Sequence, residues 1–125
     1  MAATIFVVDE HDGVRTALRH WLEVEFPLYH VIELISAEEA LMRVCFQAPD
    51  LVITDIGFPQ QNGIAAVRQL NALIPEVPIV ILTILDDDDH RAEAMQAGAA
   101  AFISTRKMHE ELIPRLTMLL SRVLA

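Results

Sequence analysis

At 125 residues the chain has the size of one domain, and no Gly/Ser/Pro-rich stretch divides it. Nine Lys plus Arg against eighteen Asp plus Glu leave a net charge of −9, which disfavours direct contact with nucleic acid or an anionic membrane. No apolar run approaches the roughly 18 residues of a membrane helix. Met1-Ala2-Ala3-Thr4 lacks a signal-peptide layout, so a cytosolic, non-membrane chain is expected.

Residues 4–8 form the first apolar run of strand length, and it closes in the acidic pair Asp9-Glu10. A helical period follows over about 12–25, with Val14, Ala17, Leu18, Trp21 and Leu22 on one stripe and Pro27 just beyond. Residues 29–35 read as a second strand, after which Ser36 is placed to cap a helix with Glu39 at the capping-box position. Leu41, Val44, Cys45 and Ala48 share a helical apolar face there, so the lone Cys45 is expected as a buried structural thiol.

The third apolar run, 51–54, ends in Asp55. A third helix is expected over about 63–73, turning Ile64, Val67 and Leu70 inward and stopping before Pro75. A strand at 78–82 leads to a helix at about 87–97 that ends at Gly98, a residue suited to a left-handed cap. The acidic run Asp86-Asp87-Asp88-Asp89 lacks the ligand spacing of an EF-hand and reads as a cap and solvated first turn. After a strand at 101–104, Leu112, Leu116, Leu119, Leu120 and Val123 repeat at helical spacing, with Pro114 near the expected first turn. His11, His20, His30, His90 and His109 show no metal-ligand spacing, so surface or local polar roles are expected for all of them.

Strictly alternating strands and helices, with strands that are not half-polar, predict an α/β fold in which a parallel sheet carries helices on both faces. Ligands bind such sheets at the carboxyl ends of the strands, where Asp9, Glu10 and Asp55 would meet. Three carboxylates in one crevice repel unless they share protons or hold a cation, and an all-oxygen set suits Mg2+. Phosphoryl chemistry is the reading this favours.

Asp9-Glu10, the segment from Asp55 to Gly63 with its Pro59, Thr83, and Ala97-Gly98-Ala99 before Ala101-Phe102-Ile103 occur in one order along the chain. That ordered set resembles the receiver domain of two-component response regulators over essentially the whole sequence. The details around Val8-Asp9-Glu10-His11 and Val14-Arg15 look most like receivers of the LuxR/NarL/FixJ type, which precede a helix-turn-helix domain.

The resemblance implies a flavodoxin-like, doubly wound sheet of order 2-1-3-4-5 with five helices. It implies that residues 1–125 are a single receiver, expected as the N-terminal part of a longer regulator. It makes Asp55 the acceptor of a phosphoryl group from a sensor histidine kinase, with Mg2+ held by Asp9, Glu10, Asp55 and the Gly57 carbonyl. Thr83 would hydrogen-bond the phosphoryl group and Phe102 would act as the switch aromatic, rotating inward. A homodimer is expected, with DNA reached only through a separate output domain.

Where such receivers carry a Lys after strand 5, this chain has Thr105, followed by Arg106 and Lys107. Thr is neutral and short. Lys107 has the better side-chain parity, yet falls beyond the expected strand. Three readings stay open: substitution by a neighbouring base, a slow or uncoupled switch, or a phosphorylation-independent interaction and dimerisation module. An aspartate-nucleophile phosphatase is disfavoured because Asp55-Ile56-Gly57 has no second acid two residues on, so a signalling domain rather than an enzyme is expected. Gly57 and Leu85 offer no polar side chain to help an attacking water.

Overall fold

The computed structural model describes residues 3–55, 63–85 and 87–124, the side chains of 122–124 excepted. Five strands, β1 (Ala3–Val8), β2 (Tyr29–Leu34), β3 (Leu51–Asp55), β4 (Ile79–Thr83) and β5 (Ala101–Ser104), alternate with five α-helices. These are α1 (Asp12–Glu25), α2 (Ala37–Arg43), α3 (Gly63–Leu73), α4 (Asp88–Gln96) and α5 (Met108–Leu124). All neighbouring strands are parallel and the order is β2-β1-β3-β4-β5, as expected.

Alternation along the strands divides the core in two. Phe6, Val52, Ile79 and Ile81 face α2, α3 and α4 with Val67 and Leu70. Val7, Ile53, Val80 and Leu82 face α1 and α5 with Leu18, Leu22, Leu112 and Leu116. Burial on both faces is why the strands lack the polar alternation of a solvated sheet.

Local chemistry sets the helix ends. Ser36 Oγ accepts from Glu39 N at 3.1 Å, while the Glu39 carboxylate reaches Ile35 N at 3.4 Å, one residue earlier than a standard capping box. Gly98 has φ of 112°; its N–H bonds Met95 O at 3.1 Å and Ala99 N bonds Ala94 O at 3.2 Å, a Schellman ending for α4.

Three expectations need correction. Cys45 is exposed, because α2 ends at Arg43 and tightens into i→i−3 turns, Cys45 N to Met42 O and Phe46 N to Arg43 O. The four-residue spacing that placed the thiol on the inner face does not extend that far. Val14, 54% exposed, and Ala17 do not join Leu18 and Leu22 in the core; they line an open cleft between α1 and α5. Pro114 lies beyond the first turn of the last helix, which begins at Met108 and runs through it. The hydrogen bond that Pro cannot give is the one to Glu110, and both residues are exposed, so water can take that carbonyl.

Candidate phosphoryl-transfer site

Strand register builds the site. Val8 pairs with Thr54, so Asp9 and Asp55 follow side by side at the carboxyl ends of β1 and β3, on the face covered by α1 and α5. Asp55 pairs with Leu82, which leaves Thr83 one step further along β4 and on the opposite face. Ser104 pairs with Thr83, and Thr105 follows it.

Asp9 is held from several directions. Its backbone N–H donates to Leu34 O at 3.0 Å, and its carboxylate accepts from His11 N at 2.8 Å. The guanidinium of Arg15, itself buried, donates to Asp9 O at 2.8 Å, to Glu33 at 2.9 Å and to Asp12 at 2.7 Å. Glu33 also accepts from Thr16 at 2.9 Å and from Arg19 at 2.5 Å. Burial pushes the Glu33 carboxyl up, but the hydrogen bonds from Arg19, Thr16 and Arg15 outweigh it and hold it below its ordinary value. Arg15 thus ties α1 and β2 to the backbone that carries Asp9.

Asp55 is compensated only in part, by the imidazole of His11. Burial, and then the negative charge of Asp9, raise its carboxyl from 3.8 to about 6. One ligand atom from each of Asp9, His11 and Asp55 lies within 4.8 Å of the others. Two strand-end carboxylates and an imidazole nitrogen at that separation fit one divalent cation after small adjustments, and a cation would relieve the repulsion that raises Asp55.

Glu10, expected as a ligand, is exposed and is not part of this convergent group. Gly57, with the rest of 56–62, lies outside the described residues. His11, expected in a local polar role, is the addition: it bonds Asp9 Oδ1 at 3.1 Å and faces the same space. Its offset of two from Asp9 at a strand end was the available signal.

Thr83 is buried at 1% exposure, and its Oγ1 accepts from Leu85 N at 3.0 Å. Phe102 is already inside, 5% exposed, in the core shared with α3 and α4. Arg91 of α4 lies 4.8 Å from the centre of the Phe102 ring and donates to Phe102 O at 3.1 Å. Thr105 lines the cleft with Asp55 and Asp9, at the position where the resemblance places a Lys. β5 stops at Ser104, whose Oγ accepts from Arg106 N at 3.3 Å and starts a 3-10 turn over Thr105–Lys107. The turn cancels strand parity, and neither Arg106 nor Lys107, both exposed, lines the cleft.

The response regulator receiver domain model matches residues 5–117. Response regulator MprA of Mycolicibacterium vanbaalenii is 34% identical over 122 residues, which is 98% of this chain and 52% of that protein. Response regulator GacA of Pseudomonas viridiflava is 33% identical over 100 residues, 80% of this chain and 47% of that protein. The chain therefore spans about half the length of these relatives. A LuxR-family two-component response regulator from Aurantimonas sp. superposes with a TM-score of 0.86 at 29% identity, covering 97% of this chain and 86% of that one. With its strand order, its strand-end carboxylates and these matches, the chain belongs to the response regulator receiver domain family and is a signalling domain of two-component systems.

Proposed function

We propose that Asp55 accepts a phosphoryl group from the phosphohistidine of a sensor histidine kinase, and that Thr83 and Phe102 relay the change to an output domain. The supporting observation is the pairing of Asp9 and Asp55 by strand register, which leaves Asp55 as a carboxylate with excess negative charge at the open end of the sheet.

An Asp55 oxygen attacks phosphorus, the N–P bond of the donor breaks, and the donor imidazole leaves and is protonated by solvent, so Asp55 ends as a mixed anhydride. Asp9 and Asp55, with His11 or Glu10, would hold Mg2+, which neutralises charge on the phosphoryl oxygens when bound. The Thr83 hydroxyl, now an acceptor from Leu85 N, can turn to donate to a phosphoryl oxygen. That movement frees volume against which the Phe102 ring, under Arg91, can settle. Residues 1–125 act as one receiver in a longer regulator that reaches DNA through its output domain and pairs as a homodimer.

Intact-mass measurement after incubation with Mg2+ and acetyl phosphate tests the reading. A single phosphoryl adduct is expected in the native chain and none in Asp55→Asn. No adduct, under conditions that label a receiver carrying the strand-5 Lys, would leave the domain a phosphorylation-independent interaction module.

A further inference from the structure

A cleft of about 1010 Å³ runs from Asp55 along the seam between α1 and α5 to Glu25, the last residue of α1. Its ends are acidic and its middle is not. Asp9 and Asp55 stand at one end and Glu25 at the other, with Val14, Ala17 and Ile113 among the walls between them. Trp21 on α1 meets His109 on α5 across the seam, with ring centres 5.7 Å apart. No Lys or Arg occurs among the described lining residues, where the imidazoles of His11 and His109 are the only basic side chains, and Thr105 adds no charge.

These features restrict the occupant. The helical rise of about 1.5 Å per residue puts roughly 20 Å between His11 and Glu25, so a ligand that reaches both ends is long and thin. Carboxylates, phosphates and nucleotides would meet repulsion at both ends. A metal ion answers only the Asp55 end, and an uncharged chain answers neither. A flexible chain of methylenes with ammonium groups at its ends and along its length matches the acids, the apolar walls and the indole face, over which an ammonium is attracted.

We propose that the cleft between α1 and α5 is a binding site for a linear polyamine, one terminal ammonium beside Asp55 and Thr105 and the other at Glu25. The positive charge that Thr105 does not provide is then supplied by the ligand. Binding needs no phosphoryl transfer, so it can be tested in metal-free, unphosphorylated protein.

Trp21 is the single tryptophan of the chain and lines the cleft, so its fluorescence reports occupancy directly. Titration with spermine is expected to give a saturable change that a polyether of matching length does not. Glu25→Gln should weaken binding about twofold to fivefold, as for loss of one exposed charge pair. Thr105→Lys, which tethers an ammonium at the acidic end, and Ala17→Phe, which fills the seam without changing charge, should each weaken it by more than about tenfold. Affinity unchanged by both Thr105→Lys and Ala17→Phe would overturn the site, as would an equal response to the polyether or no saturable response. If a variant does not fold, amide shifts in the native chain decide the matter. Shifts along α1 and the start of α5 support the cleft, and shifts along the acidic start of α4 reject it.

Discussion

Asp55 shows how the site is set against stability. In the unfolded chain its carboxyl titrates near 3.8 and in the fold near 6, chiefly through burial and then the charge of Asp9. Between those values the fold holds a proton that the unfolded chain has released, so stability in metal-free buffer falls as pH rises through that window and levels off above it. Asp55→Asn removes the effect. It is expected to raise stability at neutral pH by about 1 kcal/mol, a figure discounted because the carboxyl is partly open to solvent. Urea unfolding of both proteins from about pH 4 to 7 checks this, and parallel profiles would refute it. Tyr29 is a second polar group held at some expense: its hydroxyl is buried without a hydrogen-bond partner among the described residues. Tyr29→Phe should leave stability unchanged or raise it by up to about 1 kcal/mol in the same assay, since no bond is lost.

At the scale of elements, the end of α4 is set by one residue. A Cβ on Gly98 would lie 2.5 Å from the side chain of Asn71 on α3, and its φ of 112° is one that other residues rarely adopt. Gly98→Ala is therefore expected to cost about 1–3 kcal/mol. Adding Asn71→Ala should recover only the part due to the clash, so a double-mutant cycle separates contact from backbone strain. Gly98 was legible in the sequence because it follows a helical period and precedes an apolar run; all five strands were legible for the same kind of reason, continuous apolar stretches between helix signals. The end of α2 was not, because periodicity at Leu41, Val44 and Cys45 says nothing about where i→i−3 bonds take over. Asp9, Asp55 and Thr105 could be placed by counting along strands. Arg15 could not, and His11 only through its offset of two from Asp9: the contacts of both with Asp9 depend on how α1 leaves β1.

Across the whole molecule the acidic excess is not evenly felt. Most of the surface carboxylates are solvated, but Asp9 is 5% exposed and shares its space with Asp55. Divalent cations and simple salt should therefore act on different parts of the protein. Sodium chloride screens the net charge of −9 over a Debye length of about 10 Å at 0.1 M and acts on every variant alike. A bound Mg2+ binds the fold and not the unfolded chain, so at about tenfold excess over its Kd it adds about 1.4 kcal/mol of stability, or about 5 °C in Tm. Asp9→Asn should abolish the Mg2+ increment while keeping the response to sodium chloride. His11→Gln against Glu10→Gln then decides which neighbour completes the site. If the imidazole is a ligand, His11→Gln reduces the increment given by Mn2+ more than that given by Mg2+, because nitrogen donors favour the softer ion. If Glu10 reaches the ion instead, Glu10→Gln reduces both increments and His11→Gln neither. A Tm that rises with Mg2+ no more than with sodium chloride of equal ionic strength would show that the convergence of Asp9, His11 and Asp55 holds no ion.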